Sequence, residues 1–160
     1  MIRVSILTVS DGVAAGKRED ASGAILDEWV EEHGWFLVDH RVVPDGTSEI
    51  ATALSRWADG GEVDLILTTG GTGFGPRDVT PEATTAVLQR PAPGLAEALR
   101  VAGMRSTPFA ALSRGVAGIR GSSLIVNLPG SAKAVREGLE VLEQILPHAV
   151  GLLTGETEHA

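Results

Sequence analysis

The chain has 160 residues, 43% of them apolar, with 21 acidic against 13 basic side chains and a formal charge of −8. That length suits a single domain, its aliphatic content excludes a disordered chain, and the absence of cysteine excludes a disulfide framework, a thiolate zinc centre and a thiol nucleophile. No run approaches the roughly 20 apolar residues a membrane helix needs, and no basic-then-apolar leader precedes the first strand pattern, so we expect a soluble, cytoplasmic protein.

Arg3 to Ser10 alternates as a first strand. Ser22 is placed to cap a helix carrying Ile25, Leu26, Trp29 and Val30 on one face, with Gly34 as its stop. Trp35 to Val43 reads as a second strand and ends at the turn Pro44-Asp45-Gly46. Ile50, Ala53, Leu54 and Trp57 form a second helical stripe, closed by Gly60-Gly61. Val63 to Thr69 is a strongly β-type run and is expected at the centre of the sheet. Thr80-Pro81-Glu82 supplies a capping hydroxyl, a first-turn proline and a first-turn acid for a further helix. Gly94 to Gly103 predicts a short helix, and Ser106 to Gly121 a loop-rich stretch with a strand near Val116 to Ile119. Ser123 to Asn127 is the last strand; Ser131 then caps a long helix facing inward through Val135, Leu139, Leu142, Ile145 and Leu146. Gly151 to Ala160 is polar and acidic and is expected to fray, giving one domain over 1–153 and a tail over 154–160. Strands alternating with helices imply an α/β fold, a three-layer α/β/α sandwich around a mostly parallel sheet.

Sheets of this kind bind ligands outside the carboxyl ends of their strands, and three such ends carry unusual loops. The first runs Thr68-Thr69-Gly70-Gly71-Thr72-Gly73-Phe74-Gly75-Pro76-Arg77-Asp78-Val79-Thr80. Its glycines free the backbone to approach a ligand, and its N–H groups with the following helix can cradle an anion. Thr69 and Thr72 add hydroxyls, and Arg77 a forked cation suited to phosphate. Asp78 is out of place beside a phosphate unless it holds a metal ion or takes a proton, which points to catalysis. A tight strand-to-helix turn is the plainer reading of these glycines. The loop is neither a Walker A motif nor a dinucleotide fingerprint.

The second loop holds Ser10, Asp11 and Gly12, where Asp11 serves either a ligand or a turn. The third holds Asn127, Pro129, Gly130 and Ser131, followed by Lys133. Ser131 serves either as a cap or as a ligand contact. Asp45 reads first as a turn aspartate. Residues 71–140 carry 8 basic and 5 acidic side chains, against 5 and 13 in residues 1–70, so an anion is best placed in the middle block. Arg105, Ser113 and Arg114 lie there, with a plain solvated surface as the alternative. The overall acidity argues against nucleic acid or an acidic membrane as partner. His33, His40, His148 and His159 share no metal-ligand spacing and read as structural or solvated.

Taken together, TTGGTGFGPRDVTPEA (Thr68 to Ala83), LSRGVAGIR (Leu112 to Arg120) and SSLIVNLPGSAK (ending at Lys133) resemble the MogA/MoaB-type molybdopterin-binding domain family. The resemblance runs from about Arg3 to Leu153. It implies a trimer, sometimes a hexamer, with molybdopterin adenylyltransferase activity in molybdenum cofactor biosynthesis. In that reaction molybdopterin and Mg²⁺-ATP are the substrates and pyrophosphate is released. By position it implies that Gly70 to Gly73 form the ligand loop, that Asp78 and Asp45 are the two functionally important aspartates, and that Ser10, Asp11, Ser113, Arg114 and Asn127 to Ser131 line the pocket. As catalytic residues Asp78 would hold Mg²⁺ or position the nucleophile, and Asp45 would orient metal or substrate nearby. Members of the family commonly have Ser-Asp-Arg where this chain has Ser10-Asp11-Gly12, so one cationic contact is missing there; a common proline is Ala132 here. A non-catalytic molybdopterin-binding or scaffold trimer, and an unrelated nucleotide-dependent enzyme, are the competing functional readings.

Overall fold

A computed structural model describes residues 1–156. In chain order the elements are β1 (Arg3–Val9), α1 (Asp11–Ala14), α2 (Ala21–Glu32), β2 (Phe36–Val43), α3 (Thr47–Asp59), β3 (Leu65–Thr69), α4 (Thr80–Val87), β4 (Arg90–Pro91), α5 (Pro93–Met104), a 3₁₀ turn (Pro108–Leu112), β5 (Ala117–Arg120), β6 (Ser123–Leu128) and α6 (Ala132–Thr154). The six strands form one sheet in the order β2-β1-β3-β6-β5-β4. The first four run parallel; β5 is antiparallel to β6, and the edge strand β4 is antiparallel to β5. This is the expected α/β sandwich.

Period-two alternation divides the core between the two faces of the sheet. Val4 and Ile6, Leu65 and Leu67, and Leu124, Val126 and Leu128 pack under α2 and α6. Leu7 and Val9, Ile66 and Ile125 pack under α3 and α4. Both faces are covered, which is why β3 is buried at every residue. Chain order reverses around β1, since β2 lies on one side of it and β3 on the other. A crevice at the carboxyl ends of β1 and β3 follows from that reversal.

Several boundaries differ from expectation, each for a local physical reason. Asp20, not Ser22, caps α2: its Oδ1 accepts from Gly23 N at 3.0 Å. Thr80 is not a cap; Val79 holds that position, and the Thr80 hydroxyl instead donates to the Gly70 carbonyl at 2.9 Å. The four-residue α1 and two-residue β4 were not anticipated. From Gly151 the chain does not fray at once but stays helical to Thr154, because Val150 and Gly151 are buried and Gly155 closes the helix at φ +76°. The end of the expected acidic tail, 157–160, and with it His159, lies outside the described residues. No helix among the described residues is long and apolar enough to cross a membrane.

Candidate active site

The glycine-rich loop leaves β3 through two positive-φ residues, Gly70 (φ +96°) and Gly71 (φ +70°). A Cβ at Gly70 would overlap the Val9 carbonyl, and one at Gly71 would overlap the Thr80 hydroxyl. The end of β6 is equally close, since a Cβ at Gly130 would stand 3.3 Å from the Gly70 Cα. Three strand ends are thereby drawn together by backbone that tolerates no side chain at the junction. Two hydroxyls lock it: Thr80 holds the Gly70 carbonyl, and Thr69 Oγ1 donates to Pro129 O at 2.7 Å.

The Gly70 amide is used by Leu128 O and the Gly75 amide by the Asp78 carboxylate. The amides of Gly71, Thr72, Gly73 and Phe74 have no acceptor among the described residues, nor do those of Gly130 and Ser131 ahead of α6. Ser131 Oγ caps α6 by accepting from Ala134 N at 3.2 Å. Unpaired loop amides beside the N-terminus of a 23-residue helix make the anion cradle read from the sequence.

Around it stand three aspartates in different states. Asp11 and Asp45 bond reciprocally: Asp11 N donates to Asp45 Oδ2 at 2.8 Å, and Asp45 N to Asp11 Oδ1 at 3.0 Å. Arg77 donates to both Asp11 oxygens, at 2.6 and 3.1 Å, and to the Asp45 carbonyl. The Arg77 guanidinium foremost, with the Asp45 amide, holds the Asp11 carboxyl below the usual carboxylate range. Asp45 goes the other way. Burial foremost, then the neighbouring charges of Asp11 and Asp78, pushes its carboxyl up, although the Asp11 amide opposes this. Asp78 accepts from Gly75 N through Oδ2 at 2.9 Å.

Two cavities of about 510 and 490 Å³ open on this junction and share Gly71, Asp78, Gly130 and Ser131. Cavity 1 has an apolar wall of Ala96, Leu99, Phe109 and Leu112 and a polar floor that includes Thr72, Ser113 and Asn127. Cavity 2 is lined by hydroxyls and acids, among them Thr8, Ser10, Thr69, Asp20 and Asp45. Asn127, at the base of cavity 1, is buried and fully engaged: it accepts from Val116 N and donates to the hydroxyls of Thr68 and Thr84.

Most residues singled out from the sequence therefore meet at one place, but five change role. Arg77 and Asp11 line neither cavity and instead tie α1 to the Asp45 turn. Arg114 is likewise scaffold: its guanidinium donates to Gly73 O, Asp78 O and both Glu82 oxygens, and lines neither cavity. The Thr69 proton is spent on Pro129 and is not offered to a ligand. Arg105 caps α5 and also lies away from both cavities. Arg18, Arg100 and Phe109, unmarked in the sequence, do line them. Arg100 also donates to the carbonyls of Ser113 and Gly115, so it shapes the cavity-1 wall. Its only sequence signal was membership of the basic block.

Among the described residues no three His, Cys, Asp or Glu side chains converge as a ready metal centre. His33 Nδ1 donates to the Trp29 carbonyl, and His40 sits between Asp27 and Asp20, both structural placements.

A fold of this order, with an anion cradle and carboxylates where its strands end, defines a class of α/β proteins suited to binding anionic ligands. Residues 5–148 match the profile of a family described as "Probable molybdopterin binding domain", and the chain belongs to that family. It is 40% identical to the molybdopterin adenylyltransferase of Helicobacter pylori over 96% of this chain and 89% of that protein. It is 44% identical to the molybdenum cofactor synthesis protein cinnamon of Drosophila melanogaster over 95% of this chain, but spans only 26% of that longer protein. The crystal structure of the molybdopterin biosynthesis enzyme MoaB from Thermus thermophilus superposes with a TM-score of 0.91 at 52% identity, covering 97% of this chain and 98% of that one.

Proposed function

We propose that this chain is a molybdopterin adenylyltransferase of molybdenum cofactor biosynthesis. The terminal phosphate of molybdopterin attacks the α-phosphate of ATP, forming a P–O–P bond to AMP while the bond to pyrophosphate breaks. The observation that carries this reading is the pair of cavities with a common floor. Two anionic substrates held in separate cavities would bring their phosphates together over Gly71, Asp78, Gly130 and Ser131. The near full-length likeness to a protein named for that activity supports it.

Transfer between phosphates asks the protein for alignment and charge compensation rather than for a strong base. The free amides of Gly71 to Phe74, with those of Gly130 and Ser131, supply fixed donors for phosphate oxygens. Arg77 and Arg114 act indirectly, by holding Asp45 and the glycine loop in place.

Mg²⁺ fits the donor set. It keeps most of its waters and takes one or two carboxylates beside substrate phosphates, so a preassembled cage is not required. Asp78 and Asp45 each use one carboxylate oxygen, Oδ2, in the hydrogen bonds described, which leaves Oδ1 on each. Burial first, then the charges of Asp11 and Asp78, raises the Asp45 carboxyl, and a cation would offset the like-charge part. When bound, Mg²⁺ supplies charge neutralisation at the transferring phosphate.

A homotrimer is the assembly this reading implies, with a hexamer as the alternative, and the cytoplasm is its setting. Exposed Phe36, Leu37 and Val42 on the edge strand β2 are apolar surface available for self-association. The decisive experiment is pyrophosphate release from ATP with molybdopterin and Mg²⁺ present. Release that depends on all three supports the enzyme; tight molybdopterin binding without release would make the chain a binding module.

A further inference from the structure

We infer that Arg18 and Ser10 form the phosphate-binding pair of cavity 2, and that Gly12 is the position that admits Arg18 to it. The inference rests on the adenylyltransferase reading for the identity of its substrates, though not for the geometry.

Cavity 2 has four acids on its wall, Glu19, Asp20, Asp45 and Asp78, and Arg18 is the one cation among its described lining residues. An anionic substrate entering there needs a countercharge, and only this side chain supplies one. Arg3, Arg41, Arg77, Arg114 and Arg120 are each paired with a carboxylate, whereas Arg18 has no ion pair among the described residues. Its described side-chain bond is Nη2 to Ser10 Oγ at 3.1 Å. That contact leaves most of the guanidinium fork free for phosphate.

Ser10 completes the pair. Its Oγ accepts from Val13 N at 3.2 Å and from Arg18, which occupies both lone pairs of the hydroxyl. The hydroxyl proton is then left to donate, and it has no described protein acceptor. Two donors, one of them charged, therefore sit together in the cavity that Gly70 and Gly71 also line.

Arg18 can lie there because position 12 has no side chain. A Cβ at Gly12 would stand 3.0 Å from Arg18 Nε and 3.6 Å from its Cζ, so the guanidinium is laid along the glycine. A methyl group would displace it by tenths of an ångström, and a longer branched side chain would crowd it further.

The test is steady-state kinetics with each substrate varied in turn, using Arg18→Ala, Arg18→Lys and Gly12→Leu. Equilibrium binding of ATP, molybdopterin and inorganic pyrophosphate is measured alongside. Arg18 is exposed, so its loss leaves the fold intact, which circular dichroism verifies. Arg18→Ala should raise KM for one of the two substrates about tenfold or more while kcat changes less than about threefold, the signature of a lost binding contact. Lysine should recover part of the loss, and Gly12→Leu should reproduce it. Whichever substrate responds is the one whose phosphate occupies cavity 2. Unchanged KM for both substrates, with unchanged binding of all three ligands, would overturn the inference. A wild-type chain that binds but never transfers AMP would refute the enzymatic reading alone, with loss of binding in Arg18→Ala still supporting this pair.

Discussion

Replacing Asp78 by Asn separates charge from shape at the junction of the two cavities. The amide oxygen of Asn can still accept from Gly75 N, so the contact that folds the loop, 2.9 Å in this structure, survives. A hydrogen bond to a charged acceptor is worth about 1.5–3 kcal/mol and a neutral one about 0.5–1.5, so roughly 1 kcal/mol of stability is at stake. Even that is partly returned, because Asp78 is one of the charges that raises the Asp45 carboxyl. Net stability by urea unfolding should therefore move by less than about 1 kcal/mol. Turnover should not be spared. Loss of one preorganised electrostatic contact at a transferring group typically costs about 10²–10³ in kcat, or about 2.7–4 kcal/mol. The assay is formation of adenylylated molybdopterin at saturating ATP, repeated over a Mg²⁺ titration whose midpoint should rise in the variant. Wild-type turnover in Asp78→Asn would remove this carboxylate from the chemistry. Loss of activity matched by several kcal/mol of lost stability would mean that it acts only through the loop's fold.

Gly71→Ala should lose about 2–3 kcal/mol on urea unfolding, from left-handed backbone strain and the displaced Thr80–Gly70 bond, and a change under about 0.5 kcal/mol would refute the steric reading. Asp45 is raised in the folded chain, so the native state binds its proton more tightly and stability falls as pH rises from the ordinary carboxylate range through the raised value. Asp45→Asn should abolish that fall and unfold at higher urea than wild type at neutral pH, while losing AMP transfer. Asp64 has the opposite sign: burial raises its carboxyl, but the bonds from Arg3 outweigh this and leave it lowered. Its contribution is present above the ordinary carboxylate range and disappears as pH falls through the lowered value, so Asp64→Asn should reduce stability at neutral pH and flatten the acid limb of a urea midpoint against pH.

Strands β1, β3 and β6 were legible because burial on both faces writes a dense apolar run into the sequence, and α6 because its stripe repeats over many turns. The elements that were missed are the ones too short to have a period: two residues in β4 and four in α1. Thr80 shows how tertiary contacts override a local signal. Thr-Pro-Glu is a proper helix start, yet the hydroxyl is taken by a carbonyl ten residues earlier and the cap shifts to Val79. The glycines of the site could be read because only backbone demands explain them. The arginines could not, since sequence gives a charge but not its partner. Arg77 meets an aspartate 66 residues away, and Arg114 a glutamate 32 residues away.

Those partnerships sort the acids of the site into two kinds. Asp11 is neutralised by Arg77 and Glu82 by Arg114, and both pairs serve to fix backbone: the Asp45 turn in one case, the glycine loop in the other. Asp45 and Asp78 form no ion pair among the described residues, and the Asp45 carboxyl is pushed up first by burial and then by the charges of Asp11 and Asp78, beside the unpaired amides of the glycine loop. In the adenylyltransferase reading proposed above, the charge that compensates these carboxylates would arrive from outside, as a divalent cation carried on a phosphate. The same logic reaches Arg18, the cation of cavity 2 that the protein leaves unpaired: its partner, too, is supplied by the substrate.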